Sequence, residues 1–206
     1  MLMQHYLSRN VEIDRTNFLG RSALKVAYAN SYKDYVDETG LSMGNAFVEV
    51  PLTNFYEGTI YVDIAAERNG KTADRDGAAG VAFRIQSGER YELVYLRTAN
   101  GRLNFPPPPV ERLGQAVQYA SPPEWTSDRL RNQFPGRYEA SAKIGVKRWN
   151  QLSITVRNNT IAVFLDGNPK PMIKQKLLGT DARGAFAYWV DAGTIAYFSN
   201  LRIIEF

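Results

Sequence analysis

The stretch that decides the fold is Gly58-Thr59-Ile60-Tyr61-Val62-Asp63-Ile64-Ala65-Ala66-Glu67. Its even positions from 60 to 64 are apolar, whereas positions 61, 63 and 67 are polar or amphipathic. Alternation with a period of two is typical of a β-strand that packs one face on a core and leaves the other open. The pattern therefore predicts a half-buried strand at this point of the chain.

The same alternation recurs in segments that short turns separate. Apolar residues at positions 81, 83 and 85 are followed by Tyr91–Arg97, and the two segments predict a hairpin. Asn158 and Asn159 separate two further alternating segments, and asparagine tolerates the positive φ of a two-residue type I′ turn. Additional strands are expected over residues 23–28, 46–50, 116–119, 184–190 and 194–204.

Many short strands with Gly- and Pro-containing turns indicate an all-β sandwich or barrel. A length of 206 residues suits one domain, and we predict a single domain over residues 1–206. An irregular excursion at about 99–135 interrupts it. There Pro106–Pro109 predicts an extended polyproline segment, and residues 128–133 predict a short helix capped by Ser127. Such a long excursion is either a functional loop or a structural cover, and both remain open.

The composition excludes several kinds of chemistry. The absence of cysteine removes disulfides, zinc–thiolate sites and thiol nucleophiles, and His5 as the sole histidine argues against a serine–histidine triad. The net charge of +4 comes from scattered basic residues, so we expect no nucleic-acid partner. No apolar run approaches the ~20 residues of a membrane span, so we expect no membrane insertion. The start carries no secretory signal, which predicts the cytoplasm unless a leader has been removed.

Six segments carry motifs of strands and turns that are found together in known proteins, namely Phe18–Val26, Gly80–Arg84, Tyr91–Arg97, Trp149–Ile154, Phe164–Gly167 and Ala196–Ile203. These motifs resemble those of the concanavalin A-like lectin/glucanase superfamily. Their order is similar to that of laminin-G-like domains and of bacterial domains described as glycoside hydrolases or 3-keto-disaccharide hydrolases. The resemblance implies a two-sheet antiparallel β-sandwich, a jelly roll, whose concave sheet binds carbohydrate.

The catalytic members of that superfamily carry Glu, Asp and Glu along one strand, and this chain departs from the pattern. Tyr61 stands where the first Glu would be, and Glu67 lies four residues beyond Asp63. Four residues of regular strand span about 13 Å, too far for a retaining pair of carboxylates. The glucanase roles are therefore not transferred, and Asp63 and Glu92 remain as catalytic candidates only for an alternative hypothesis.

The outward positions of the predicted strands supply a candidate binding face. Tyrosine rings stack on the apolar face of a sugar, while guanidinium and amide groups hydrogen-bond to its hydroxyls. We expect Trp125 and Arg129, from the excursion, to close one end of the groove. The alternative is a solvated sheet of cross-strand pairs. The candidate ligand-binding residues are Tyr61, Arg84, Gln86, Tyr91, Tyr95, Arg97, Trp125 and Arg129.

Three hypotheses of function follow. The first is a carbohydrate-binding domain without a standard catalytic carboxylate dyad. The second is a glycoside-processing hydrolase or lyase in the same cleft, with Arg84 stabilising charge and Asp63, Glu92 or Tyr95 exchanging protons. The third is a protein-interaction domain of the laminin-G-like kind.

No cofactor and no metal site are expected. Asp74–Gly77 has a fragment of calcium-loop chemistry without the bidentate Glu at the required spacing, which favours a solvated turn. The resemblance leaves a structural calcium ion open.

Overall fold

The structure is a computed structural model that describes residues 6–29, 46–69, 77–87 and 90–206. His5, the residues 74–76 of the calcium-like turn and the hairpin turn at 88–89 lie outside the described residues. One α-helix, α1 (Ser127–Gln133), and two 3-10 helices, Thr98–Asn100 and Val110–Gln115, lie in the described ranges. The strands there are β1 (Leu7–Arg9), β2 (Val11–Phe18), β3 (Arg21–Tyr28), β4 (Phe47–Phe55), β5 (Gly58–Arg68), β6 (Ala78–Ser87), β7 (Arg90–Arg97), β8 (Val117–Ala120), β9 (Glu139–Ala140), β10 (Asn150–Arg157), β11 (Thr160–Leu165), β12 (Ile173–Lys176), β13 (Gly184–Val190) and β14 (Thr194–Glu205).

The strands form two seven-stranded antiparallel sheets. Sheet A has the order β1-β4-β13-β6-β7-β8-β9, and sheet B has the order β12-β11-β10-β5-β14-β3-β2. The predicted two-sheet antiparallel sandwich is confirmed. Consecutive strands often belong to different sheets: β5 lies in sheet B, whereas β4 and β6 lie in sheet A. Because the chain passes from one sheet to the other in this way, outward-facing side chains of consecutive strands often lie on different sheets.

The core lies between the sheets and is built by the alternating apolar residues. Ile60, Val62 and Ile64 of β5 are buried there, as are Val81 and Phe83 of β6. A second, smaller apolar cluster covers the outer face of sheet A, so that face is not an ordinary solvated surface. The cluster contains Phe47, Ala78, Ala82, Tyr91, Leu93, Tyr95 and Ala187, with Ile85 and Trp189 packed against it.

A β-bulge at Arg84 changes the face on which β6 presents its side chains. Ala185 pairs with Ile85 and Ala187 pairs with Ala82, so β6 holds one more residue than its partner strand. Arg84 accommodates the extra residue with a φ of +51°. The prediction that Ile85 faces the core is therefore wrong, because the bulge turns it into the outer cluster of sheet A.

The turn and helix predictions are confirmed with one correction. Asn158 and Asn159 have φ values of +49° and +57°, as a type I′ turn requires. Helix α1 forms where the sequence indicates, but Thr126 is its cap, and its side chain accepts a hydrogen bond from the Arg129 amide at 3.3 Å. Ser127, the predicted cap, is the first helical residue. No helix in the described ranges is long and apolar enough to span a bilayer.

Candidate functional site

The residues predicted for a single binding face lie on two sheets. Tyr61 lies on β5, in sheet B, where the Arg202 guanidinium sits 4.4 Å from the centre of its ring. Tyr91, Tyr95 and Arg97 lie on β7, in sheet A. Because the core separates the two sheets, Tyr61 does not share a surface with the β7 residues. The expectation of one common face is therefore wrong for Tyr61.

The three β7 residues do come together on the outer face of sheet A, but they are buried. Tyr91, Tyr95 and Arg97 are each 6% exposed. The Arg97 guanidinium donates to the Tyr95 hydroxyl at 2.8 Å and to the Gln118 side-chain oxygen at 3.3 Å. Burial raises the pKa of Tyr91 to about 12. Arg97 thus links the Tyr95 hydroxyl and Gln118 in a buried network, which we call the β7 network, and not in an open sugar platform.

Three other candidates, Arg84, Gln86 and Glu92, line a small cavity together with Tyr91. The cavity volume is about 10 Å³, which holds about one water molecule. Arg84 is 2% exposed; its Nε donates to the Tyr56 carbonyl at 2.9 Å, and its Nη1 lies 3.4 Å from Asp181. A sugar ring has no room beside these groups.

The two catalytic candidates are buried carboxylates with existing partners. Glu92 is 1% exposed and accepts hydrogen bonds from the Tyr119 hydroxyl at 2.8 Å and the Gly179 amide at 2.9 Å. Burial raises the pKa of the Glu92 carboxyl, although these hydrogen bonds oppose the effect. Asp63, on sheet B, accepts from Arg21 at 2.6 Å and from Asn200 at 2.7 Å. Each carboxylate ties neighbouring segments together, and the two belong to different sheets.

The excursion covers part of the outer face of sheet A. The Arg129 guanidinium lies 4.3 Å from the Trp125 ring centre and donates to the Glu124 carbonyl at 2.8 Å. Trp125 also packs against Phe134, with ring centres 6.3 Å apart. Ser127, at the start of α1, lies beside the Tyr95 hydroxyl. Trp125 and Arg129 therefore pack against each other beside the β7 network.

An open cleft lies elsewhere, where the end of β5 meets the start of the excursion. Its volume is about 480 Å³. Its apolar lining, which we call the apolar wall, contains Phe105, Pro106–Pro109 and Val146. Its polar lining, which we call the polar wall, contains Glu67, Arg68, Asn104, Arg112 and Lys147, and the fully buried Asn100 forms the floor.

Hydrogen bonds from one side chain fix the base of the cleft. The Asn104 amide donates to the carbonyls of Thr98 and Gly101 at 2.8 and 2.9 Å. Its oxygen accepts from the Val146 amide at 3.0 Å. The backbone amides of Arg102 and Leu103 also donate hydrogen bonds to the carbonyls of residues 142 and 144, each at 3.0 Å. The cleft is therefore preformed, which lowers the ordering cost of binding.

The polar wall is built around one carboxylate. Glu67 Oε2 lies 2.9 Å from Lys147 Nζ, and Glu67 Oε1 accepts from the Tyr197 hydroxyl at 3.2 Å. The Lys147 amide bonds to the Ala66 carbonyl at 3.0 Å, which holds the two residues side by side. The carboxylate raises the pKa of Lys147, so this ammonium stays charged at neutral pH.

Asn100, on the floor, carries an unusual burial cost. The residue is 0% exposed, and neither its amide nitrogen nor its oxygen has a hydrogen-bond partner. Buried polar atoms are nearly always paired, and an unpaired one costs about 1–3 kcal/mol. Within the described ranges, two other buried side chains have an unpaired polar atom, Arg84 and Thr194. Asn100 is the one of the three that lines the open cleft.

Sequence reasoning missed this cleft, although one signal points to it. The stretch Phe105-Pro106-Pro107-Pro108-Pro109 places an aromatic residue and a stiff segment inside the excursion that the sequence predicts to be either a functional loop or a structural cover. Asn100 and Lys147 carry no comparable pattern. They meet only because the start of the excursion returns to the turn before β10.

No protein-family model matches the chain, and no curated protein matches it. Solved structures with a similar fold do exist. The carbohydrate binding module CBM66 from Bacillus subtilis superposes with a TM-score of 0.62 at 14% identity, over 98% of this chain and 97% of that one. A Bacillus subtilis protein of unknown function with a galectin-like fold gives a TM-score of 0.54 at 8% identity, over 98% of both chains.

A beta-glucanase from Bacillus licheniformis gives a TM-score of 0.54 at 10% identity, over 96% of this chain and 83% of that one. Likeness at this level of identity concerns the fold. The narrower resemblance to 3-keto-disaccharide hydrolases stays a prediction. In architecture, the chain is a two-sheet antiparallel β-sandwich with the jelly-roll fold of these solved structures.

Proposed function

We propose that the protein is a carbohydrate-binding domain and that its sugar ligand enters the cleft between Phe105 and the Glu67–Lys147 pair. One protein of similar fold is a carbohydrate binding module and another is a beta-glucanase. A shared fold leaves function open, so the proposal depends on the chemistry of the cleft.

The observation that carries the proposal is the unpaired amide of Asn100 on the cleft floor. A hydroxyl group both donates and accepts hydrogen bonds, so neighbouring sugar hydroxyls match an amide that offers one oxygen and one NH₂ group. Neither atom is accessible from the cleft in this structure, so the proposal includes a turn of the Asn100 side chain toward the cleft, where neighbouring sugar hydroxyls would satisfy both atoms.

The two walls complement the two kinds of surface that a sugar presents. Phe105 is 98% exposed, and its ring is available to stack on apolar C–H groups. Glu67 and Lys147 face the hydroxyl side with charged acceptors and donors. The volume of 480 Å³ falls within the range of about 300–1,000 Å³ that is usual for small-ligand sites.

The proposal is binding without hydrolysis. Among the described residues that line the cleft, Glu67 is the only carboxylate. A glycosidase of the usual kind needs two carboxyl groups across the scissile bond, about 5 to 9 Å apart. Asp63 and Glu92 are buried by their own partners and do not line the cleft.

A glycan microarray probed with the labelled protein tests the proposal, followed by calorimetric titration with the sugars that bind. We expect binding to a restricted set of glycans and no release of product during prolonged incubation. An array without any bound glycan would overturn the carbohydrate proposal. Product that disappears in a Glu67→Gln variant would overturn the proposal of binding without hydrolysis.

A further inference from the structure

Three aromatic rings form a surface on sheet B beside the cleft. Tyr197 of β14 stacks on Phe18 of β2 with ring centres 3.7 Å apart and an interplanar angle of 8°. Phe18 meets Trp149 edge to face at 5.8 Å. All three residues are half-buried, so part of each ring faces solvent. We name this group, Phe18, Trp149 and Tyr197, the ring platform.

The ring platform is held in place by contacts at its edges. The Trp149 indole donates to the Phe18 carbonyl at 3.2 Å, and the Arg21 guanidinium lies 5.2 Å from the Trp149 ring centre. Arg21 is in turn bonded to the buried Asp63 carboxylate at 2.6 Å. Rings fixed in this way lose little conformational entropy when a ligand packs on them.

Glu67 joins the ring platform to the cleft. One carboxylate oxygen lies on the cleft side and pairs with Lys147 at 2.9 Å. The other accepts from the Tyr197 hydroxyl at 3.2 Å, so the rim of the cleft and the edge of the platform share one side chain. A ligand longer than one sugar unit that leaves the cleft past Glu67 would therefore lie directly on the rings.

We infer that the ligand is an oligosaccharide chain, with one unit in the cleft and the next on the ring platform. The inference rests on the proposed function, since the cleft must hold the first sugar. The platform supplies what a second unit needs: partly exposed rings for its apolar face, and Lys147 and Arg21 at the margin for its hydroxyls. Two linked contacts bind a chain more tightly than either contact alone.

Calorimetric titration with chains of increasing length tests the inference. The probes are gluco-, manno-, xylo- and fructo-oligosaccharides, each from the monosaccharide to the pentasaccharide. For the series that binds, we expect affinity to rise about tenfold or more between the monosaccharide and the trisaccharide, and then to level off. A Trp149→Ala variant should lose that rise and keep the affinity for the monosaccharide within about twofold of the wild type.

Two further variants keep the test decisive. Tyr61→Ala removes a ring from the same sheet at a place away from the cleft, and it should keep the full dependence on chain length. If Trp149→Ala unfolds, Trp149→Phe retains a ring and should show an intermediate rise. Affinity that is independent of chain length, or equal in the wild type and both Trp149 variants, would overturn the inference and leave the cleft as a one-unit site. Absence of binding to any probe would overturn the proposed function itself.

Discussion

The Tyr197 hydroxyl donates to Glu67 Oε1 at 3.2 Å, and this contact joins two sheet B strands to the rim of the open cleft. Tyr197 and Glu67 lie on neighbouring antiparallel strands, where the register of β14 against β5 sets their separation. Burial and the nearby carboxylate raise the pKa of the Tyr197 phenol, so the hydroxyl remains a donor at neutral pH. The polar wall of the cleft is therefore positioned by the sheet itself.

Replacing the unpaired amide should separate binding from stability. Asn100→Leu keeps the branching at Cγ and removes both polar atoms, so we expect the free energy of unfolding to stay constant or rise by about 1 kcal/mol. Sugar affinity should fall about tenfold, the effect of losing one or two hydrogen bonds. Urea denaturation and calorimetric titration measure the two quantities.

Thr194→Val is the matched control, because Thr194 has a buried unpaired hydroxyl that does not line the cleft. It should change stability in the same direction and leave sugar affinity unaltered. A loss of stability in Asn100→Leu together with unchanged affinity would show that the amide is structural.

The exposed ring at the rim gives a second prediction. Phe105 is 98% exposed, so Phe105→Ala should leave the unfolding temperature within about one degree of the wild type. Sugar affinity should fall about 3- to 10-fold, the value of one stacking contact. Leu52→Ala, at another fully exposed apolar residue outside the cleft lining, is the control and should affect neither property. Equal sugar affinity in the two variants would remove Phe105 from the site.

The β7 network offers a test that decides between the cleft and the outer face of sheet A. Tyr95→Phe removes the hydroxyl that accepts from Arg97 at 2.8 Å, within a buried network. We expect the free energy of unfolding to fall by about 1–3 kcal/mol, because a guanidinium donor loses its partner. Sugar affinity should not change. A folded Tyr95→Phe protein with strongly reduced affinity would place the sugar on sheet A.

Stability should depend on pH through Glu92. Because burial raises the pKa of this carboxyl in the folded state above its ordinary value near 4.5, folding favours the protonated form. The stability that this group contributes to the folded protein is fully present below pH 4.5, and it is lost as the pH rises through the pKa of Glu92 in the folded state. The stability of Glu92→Gln relative to the wild type should therefore increase from pH 4.5 to neutral pH. Urea denaturation across this range measures the difference, and a decrease would contradict the assignment.

The strands could be predicted because burial imposes a simple rule on each of them separately. Ile60, Val62 and Ile64 alternate with polar residues, and the structure buries all three. Asn158 and Asn159 adopt the positive φ that their turn needs. Both features depend on neighbours within a few residues, so one sequence contains enough information to identify them.

The residues of the candidate site could not be predicted from the alternation of apolar and polar residues. Alternation assigns each side chain to a face, but it does not say which sheet the strand joins, and Tyr61 and Tyr95 belong to different sheets. The bulge at Arg84 then reverses the face of Ile85. Asn100 ends a short 3-10 helix and Lys147 lies in a turn, and the two meet through long-range hydrogen bonds such as that from Val146 to Asn104.

The most direct test of the central claim is a nuclear magnetic resonance titration that follows the side-chain amide of Asn100. The labelled protein is titrated with the oligosaccharide that binds most tightly in the calorimetric series, and proton–nitrogen correlation spectra are recorded. The account predicts that the Asn100 NH₂ resonances shift and gain protection from exchange, while the backbone resonances of β7 stay in place. Saturating binding that shifts residues around Tyr95 and leaves Asn100 unchanged would contradict it.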